Sequence, residues 1–226
     1  MKYKYETHCH TAEGSSCSRL PAKDAVALYL SLGYTGIVIT DHFTGSTTVP
    51  PHYKWKDRVN HFFAGCEAAR AEGEKAGLDV FFSLEYSDKG NDFLLYGIER
   101  DFLLENPDMR EIGITALLRR VRDAGGFIIH AHPFAQAKWI PEIRLFPDLT
   151  DAVEVLNGGD TEGNYNRRAV WYADEYGLPK TGGTDTHASD QKPVTGIAVE
   201  RRAKDILDLA AQIKAGKARV LSLEGN

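Results

Sequence analysis

The chain has 226 residues, 42% of them hydrophobic and 26% charged, which suits one large α/β domain spanning 1–226. A formal charge of -5 and a pI near 5.9 exclude a protein that wraps long nucleic acid, because counterion release needs a basic face. Three cysteines (Cys9, Cys17, Cys66) without a CxxC pair exclude a disulfide framework and a zinc-thiolate knuckle.

Met1 to Glu6 carries no apolar leader core, and no later stretch approaches the roughly 20 apolar residues that span a bilayer. A cytoplasmic protein with no membrane partner is therefore expected. Strands are predicted near 3–8, 36–40, 79–84, 93–97, 127–131, 152–156, 179–182, 196–199 and 218–222. Helices are predicted near 22–32, 57–76, 115–124, 165–176 and 203–215. Pro21 suits the first turn of 22–32, where Ala25, Leu28 and Leu32 share a face and Gly33 follows as a cap. Gly77, Gly125, Gly177 and Gly216 close the others. The runs Gly36 to Thr40 and Phe127 to Ile129 are continuously apolar, as in strands covered on both faces, so the alternation predicts βα units around a parallel sheet. Two irregular stretches, 44–56 and 133–150, lie beside the strand ends. His52, Tyr53 and Trp55 in the first either contact substrate or anchor the loop.

Six of the eight histidines fall where a predicted strand ends: His8, His10, His42, His130, His132 and His187. Asp41, Glu85 and Asp185 occupy equivalent places. Imidazole and carboxylate are the nitrogen and oxygen ligands that zinc, manganese and iron accept. His8 and His10 share one side of an extended segment, while Cys9 between them points to the other. His42 is a ligand or a buried polar group, with Asp41 placed to fix the tautomer of a ligating ring. Glu85 either caps a loop or bridges two metals. Of His130 and His132, the latter lies nearer the open strand end. Asp185 can act as ligand and proton acceptor, His187 as ligand or general acid, in a glycine-rich segment that lets backbone approach a ligand. Five such segments at five strand ends point jointly to a metal site. Lys138, Arg144, Arg167 and Arg168 are candidate phosphate-binding cations, and Glu13 is a further candidate carboxylate.

Taken in order, His8-x-His10, Thr40-Asp41-His42, Glu85, Ala131-His132-Pro133 and Gly183-Thr184-Asp185-Thr186-His187 resemble the PHP (polymerase and histidinol phosphatase) family. The run Gly33 to His42, Val153 to Gly158 and the stretch Asn166 to Ala173 share the resemblance. It implies a distorted (β/α)7 TIM-like barrel and two or three divalent ions (Mn, Zn or Fe) at the carboxyl ends of the strands. It further implies that His8, His10, Glu85 and Asp185 hold one ion, His42 and His187 serve a second, and Glu85 with His132 a third. Two positions depart from the pattern. Ser15 and Ser16 stand where members often have Asp or His, and Asp92 stands where many have histidine. The expected activity is metal-assisted hydrolysis of a small phosphorylated metabolite or nucleotide, with Asp41, Asp185 and His187 in the catalytic set. Exonuclease action on nucleic-acid ends and a non-catalytic metal- or phosphate-binding role are the alternatives.

Overall fold

A computed structural model of the chain describes residues 1–160, 164–191 and 194–221. The first sheet is ordered β10-β9-β1-β2-β3, from β1 (Tyr3–Cys9), β2 (Gly36–Ile39), β3 (Asp79–Phe82), β9 (Ile197–Val199) and β10 (Ala218–Val220). The second is ordered β4-β5-β6-β7-β8, from β4 (Glu85–Asp88), β5 (Asn91–Tyr96), β6 (Phe127–Ala131), β7 (Ala152–Asn157) and β8 (Lys180–Gly183). Helices α1 (Ala22–Ser31), α2 (Trp55–Phe62), α3 (Ala64–Ala76), α4 (Arg100–Glu105), α5 (Ile114–Asp123), α6 (Asn164–Glu175) and α7 (Ile206–Lys214) complete the architecture. No helix among the described residues is long and apolar enough to cross a membrane.

The expected all-parallel arrangement holds for β1-β2-β3 and β6-β7-β8. It fails at β4-β5-β6 and at β1-β9-β10, where the pairing is antiparallel. The cause at β4 is local: Lys89 and Gly90 both take positive φ (53° and 77°) between the paired Asp88 and Asn91, the geometry of a two-residue hairpin turn. Strand β4 and helix α4 are additions to the expected elements. The expected helix 57–76 divides at Phe63, because consecutive Phe62 and Phe63 both turn inward, Phe63 stacking on Phe82 at 4.3 Å. Position 222 of the last expected strand lies outside the described residues.

No ladder among the described residues closes a barrel; the two sheets meet at two short seams. At one, His10 N–H donates to Thr186 O (3.0 Å) and Thr186 N–H to His8 O (3.2 Å). At the other, Glu85 N–H donates to Asp41 O (3.0 Å) and Phe43 N–H to Glu85 O (2.9 Å). Gly183 permits the first seam, since a Cβ there would come within 2.5 Å of both His8 Cβ and Glu154 Oε1. Apolar burial does the rest. Helix α1 buries Ala22, Ala25, Val26 and Tyr29, with Leu28 and Leu32 at its edge, and α7 buries Ile206, Leu209, Ala210 and Ile213.

Candidate metal centre

The seams bring five distant segments to one place. His8 and His10 leave the end of β1 with their rings inward, both fully buried. Glu85, 1% exposed, opens β4 at the other seam and lies at the middle of the group. Its Oε1 is 3.4 Å from His8 Nε2 and 3.3 Å from His132 Nε2, while its Oε2 is 3.3 Å from His10 Nε2 and 3.0 Å from His42 Nδ1. Asp185 Oδ1 is 3.4 Å from His8 Nε2 and 3.1 Å from His10 Nε2. His187 stacks beside His10 with ring centroids 4.4 Å apart.

Groups beyond the inner ring decide which nitrogen of each imidazole faces inward. His8 Nδ1 lies 3.0 Å from Glu154 Oε1, His10 Nδ1 3.0 Å from Ser15 Oγ, and His187 Nδ1 2.8 Å from the Asp185 carbonyl. Each contact makes Nδ1 the protonated nitrogen and leaves Nε2 as the donor atom, the usual arrangement of a ligating histidine. Asp41 does not touch a ring as expected. Buried and bonded by Thr11 N–H (2.7 Å), Thr11 Oγ1 (2.7 Å) and Ser15 Oγ (2.8 Å), it reaches His10 only through Ser15.

The electrostatics favour cations. Burial works against charge on His8, yet Asp185, Glu154 and Glu85 hold its pKa well above the ordinary value. His132 behaves alike, burial being outweighed by Glu85, Asp92 and Asp185 so that its pKa rises to about 9. Burial also opposes charge on Glu85 and Asp185, but the surrounding imidazoles, led by His42 for Glu85 and by His8 for Asp185, hold both well below the carboxylate range. His10, dominated by burial, falls to about 3. Cys17 lies at the mouth, where burial raises its thiol but His187 and His42 bring it down to about 7.

Divalent ions fit this set. His8 Nε2, His10 Nε2, His42 Nδ1 and both Glu85 oxygens are buried without a hydrogen-bond partner, which is costly unless something else satisfies them. Among the described residues, donor atoms fall within 4.8 Å of one another in four trios: His8, His10 and Asp185; His10, His42 and His187; Glu85, Asp92 and His132; His8, His132 and Glu154. Glu154 was not among the sequence candidates, nor was Glu6, which accepts from His8 N–H (2.8 Å), Thr184 N–H (2.9 Å) and the Tyr29 hydroxyl (2.7 Å). Gln191 likewise pins the loop, accepting His187 N–H (2.8 Å) and donating to the Thr184 and Asp185 carbonyls. The sequence signals for Glu154 are its place in the Val153 to Gly158 run and an acid alternating with apolar residues inside β7.

Other candidates lie elsewhere. Glu13 accepts from Ala22 N–H (3.0 Å) at the start of α1. His130 is buried among Phe93, Phe146 and Tyr172. Trp55 donates to Leu103 O (2.6 Å) and packs edge-on against Phe43, while Tyr53 packs against His52 and His61, so these aromatics anchor the loop. A cleft of about 610 Å³ opens over the inner ring, lined also by Ser46, Lys89, Trp139, Asn157 and Tyr165. Lys138, Arg144, Arg167 and Arg168 are absent from its described lining. Arg144 pairs with Asp88, Arg167 bonds Asn164, and Lys138, Arg167 and Arg168 are exposed.

Residues 163–218 match the model of the PHP-associated family, PHP_C. No curated protein matches the sequence. The fold is similar to a two-domain protein of Bacteroides vulgatus containing a predicted PHP-like metal-dependent phosphoesterase (TM-score 0.73, 16% identity, 97% of this chain and 64% of that one). The chain thus spans 64% of that protein's length. It is also similar to a Bifidobacterium adolescentis protein assigned by prediction to the metal-dependent phosphoesterases (TM-score 0.57, 17% identity, 95% and 97% covered). A third likeness is to an amidohydrolase of Chromobacterium violaceum, solved with sulfate and no metal (TM-score 0.57, 14% identity, 98% of each chain). The class is a mixed α/β fold of PHP-like type. The matched segment makes the last part of the chain similar to the PHP-associated family, and the shared fold makes the whole similar to PHP-like proteins.

Proposed function

We propose that this chain is a metal-dependent phosphoesterase acting on a small phosphorylated metabolite or nucleotide, with a di- or trinuclear centre of manganese, zinc or iron. The observation that carries this reading is the convergence of buried, unpartnered imidazole and carboxylate atoms beneath an open cleft. His8, His10, Glu85 and Asp185 would hold one ion, His42 and His187 a second, and Glu85 with His132 and Asp92 a third. When bound, such ions lower the pKa of a coordinated water and neutralise charge on phosphate oxygens.

The chain's own residues orient and exchange protons. Asp185, 21% exposed at its side chain, and His187, 28% exposed, stand between the inner ring and the cleft, where a proton must be passed to the departing alkoxide. Glu154 and Ser15 hold His8 and His10 in their donor tautomers. Lys89 is a cationic side chain placed to meet the substrate from the cleft wall. Asp41 acts by fixing Ser15 rather than by touching substrate.

The test is turnover of a broad phosphoester panel by manganese-loaded protein. Activity is expected on several small esters and lost in His10→Ala or Asp185→Ala protein of unchanged circular dichroism. Silence across the panel refutes the enzyme reading. Cleavage of amides instead, the chemistry by which the Chromobacterium violaceum neighbour is described, replaces the bond class while leaving the metal centre standing.

A further inference from the structure

The cleft over the inner ring has two walls of different origin. One is the strap that leaves β6 through His132 and crosses the β4–β5 hairpin. It is tied at its start, where Ala135 N–H donates to His132 O (2.9 Å), and again further on, where Asn91 Nδ2 donates to Glu142 O (3.2 Å) and Arg144 N–H to Asn91 Oδ1 (2.9 Å). Between the ties Ile140 rests on Gly90, where a Cβ would come within 2.6 Å of Ile140 Cγ1. Trp139 beside it lines the cleft while 78% exposed. The other wall is the start of α6, which packs on β7 and brings Tyr165, partly buried against the core beneath it, to the same cleft. A lone exposed tryptophan on an outer surface needs no explanation. One that faces a second aromatic residue's wall across a concave site does.

The polar side chains around Tyr165 are already spent on the protein. Asn157 Oδ1 accepts Gly159 N–H (2.7 Å) and its Nδ2 donates to Glu154 Oε2 (2.8 Å). Asn166 Oδ1 accepts Asn157 N–H (2.8 Å) and its Nδ2 donates to Asn157 O (3.1 Å), while Asp160 Oδ2 accepts Asn166 N–H (2.8 Å). This end of the cleft therefore offers little to a hydroxyl-rich group. It offers aromatic faces instead, with the small side chains of Ala135, Ala137 and Ala169 beside them leaving room for a flat ring.

We infer that the cleft takes a phosphoester whose alcohol carries a flat aromatic ring, and that Trp139 selects for that ring by stacking. The inference rests on the phosphoesterase reading above and narrows its substrate class. Stacked aromatic rings gain energy beyond the area they bury, a gain that a puckered saturated ring of similar size forgoes. A nucleobase and a simple aryl group share this chemistry.

The experiment compares benzyl phosphate with cyclohexylmethyl phosphate, esters that release similar alkoxides and differ in the flatness of the ring. Manganese-loaded wild-type protein is expected to prefer the benzyl ester in kcat/KM. Trp139→Ala should lower that preference by about tenfold, the order of one lost stack, and Trp139→Phe should keep most of it. Since Trp139 is 78% exposed, its replacement does not threaten the fold. A nucleoside 5′-monophosphate, measured against ribose 5-phosphate, separates the two sources of the ring. A larger loss for the nucleotide than for the benzyl ester in Trp139→Ala protein identifies a nucleobase, and the reverse order a small aryl group. Wild-type protein without a preference for the benzyl ester, or an equal preference in wild-type and Trp139→Ala protein, overturns the inference. Binding of benzylphosphonate and cyclohexylmethylphosphonate, read by calorimetry, keeps the two readings apart. If no ester is turned over but benzylphosphonate binds the more tightly and loses that advantage in Trp139→Ala protein, the phosphoesterase reading falls and the aromatic slot stands.

Discussion

The two sheets deliver their functional side chains by different means. In the first, His8 and His10 come from the end of β1, an extended strand whose pleat turns both rings the same way without local strain. In the second, His132 and Asp185 leave their strands on backbone with φ of 27° and 56°, a region that costs an L-residue about 1–2 kcal/mol. That backbone is held by side chains: Glu154 Oε2 accepts His132 N–H (3.0 Å), and Gln191 ties the carbonyls of Thr184 and Asp185. Regular structure therefore aims one half of the site. Hydrogen-bonded strain aims the other half.

Glu85 lies where the halves meet, so its loss should be the most damaging. Glu85→Gln keeps the shape but removes the carboxylate that lies within 3.4 Å of imidazoles from both sheets. Bound metal measured by elemental analysis should fall by well over the roughly 100-fold upper range of an outer change, and turnover with it. Glu154→Gln comes next. It perturbs His8 of the relaxed half and the backbone of His132 in the strained half, and should weaken metal affinity by about 10–100-fold. Comparable losses from Ser15→Ala, which touches only the relaxed half, would show that strain in the second sheet carries no special weight.

The same division explains what could be read from the chain. His8-x-His10 needs nothing but period-two geometry, and the apolar run before Asp41 announces a buried strand with a polar end. The strand-then-acid pattern likewise singled out Glu85. The parallel half of each sheet followed from βα alternation. The hairpin is hard to see in the sequence because Asp88-Lys89-Gly90-Asn91 is a turn signal following only four strand residues, and the apolar run before Glu85 makes it look like the end of one strand rather than the start of another. Gln191 is illegible as a site residue, and Glu154 legible only as an acid inside an apolar strand, because their role is to hold neighbours whose positions depend on the fold. Sequence spacing also pairs His130 with His132 on one face. The positive φ at His132 separates them, turning one ring to the Glu85 cluster and leaving the other in the core.

That separation predicts opposite pH effects in metal-stripped protein. Burial, then His132 and Arg144, hold His130 at about 3 against an ordinary 6.5, so the fold keeps it neutral while the unfolded chain takes up a proton. Stability should be undiminished above pH 6.5 and fall towards pH 3 by about 1.4 kcal/mol per pH unit from this group. His132, raised to about 9, contributes stability fully present below 6.5 and lost as pH rises through 9. Urea unfolding across pH should show His130→Phe flattening the acid limb and His132→Gln the alkaline one. Both variants altering the same limb would break the contrast between core and site.

The smallest effect should come from the exposed cations. Lys138, Arg167 and Arg168 are absent from the described lining of the cleft, whereas Lys89, at the tip of the β4–β5 hairpin, belongs to it. If phosphate charge is met mainly by ions held between the two sheets, removing surface cations changes little, since exposed charges are screened by solvent. A Lys138→Ala/Arg167→Ala/Arg168→Ala triple variant should keep kcat/KM within about twofold, matching the small consequences of surface substitution. Lys89→Ala should raise KM by about tenfold, the order of one hydrogen bond to a charged group. A triple variant more damaged than Lys89→Ala would mean that substrate reaches beyond the cleft onto α6, and that the sheets alone do not define the binding surface.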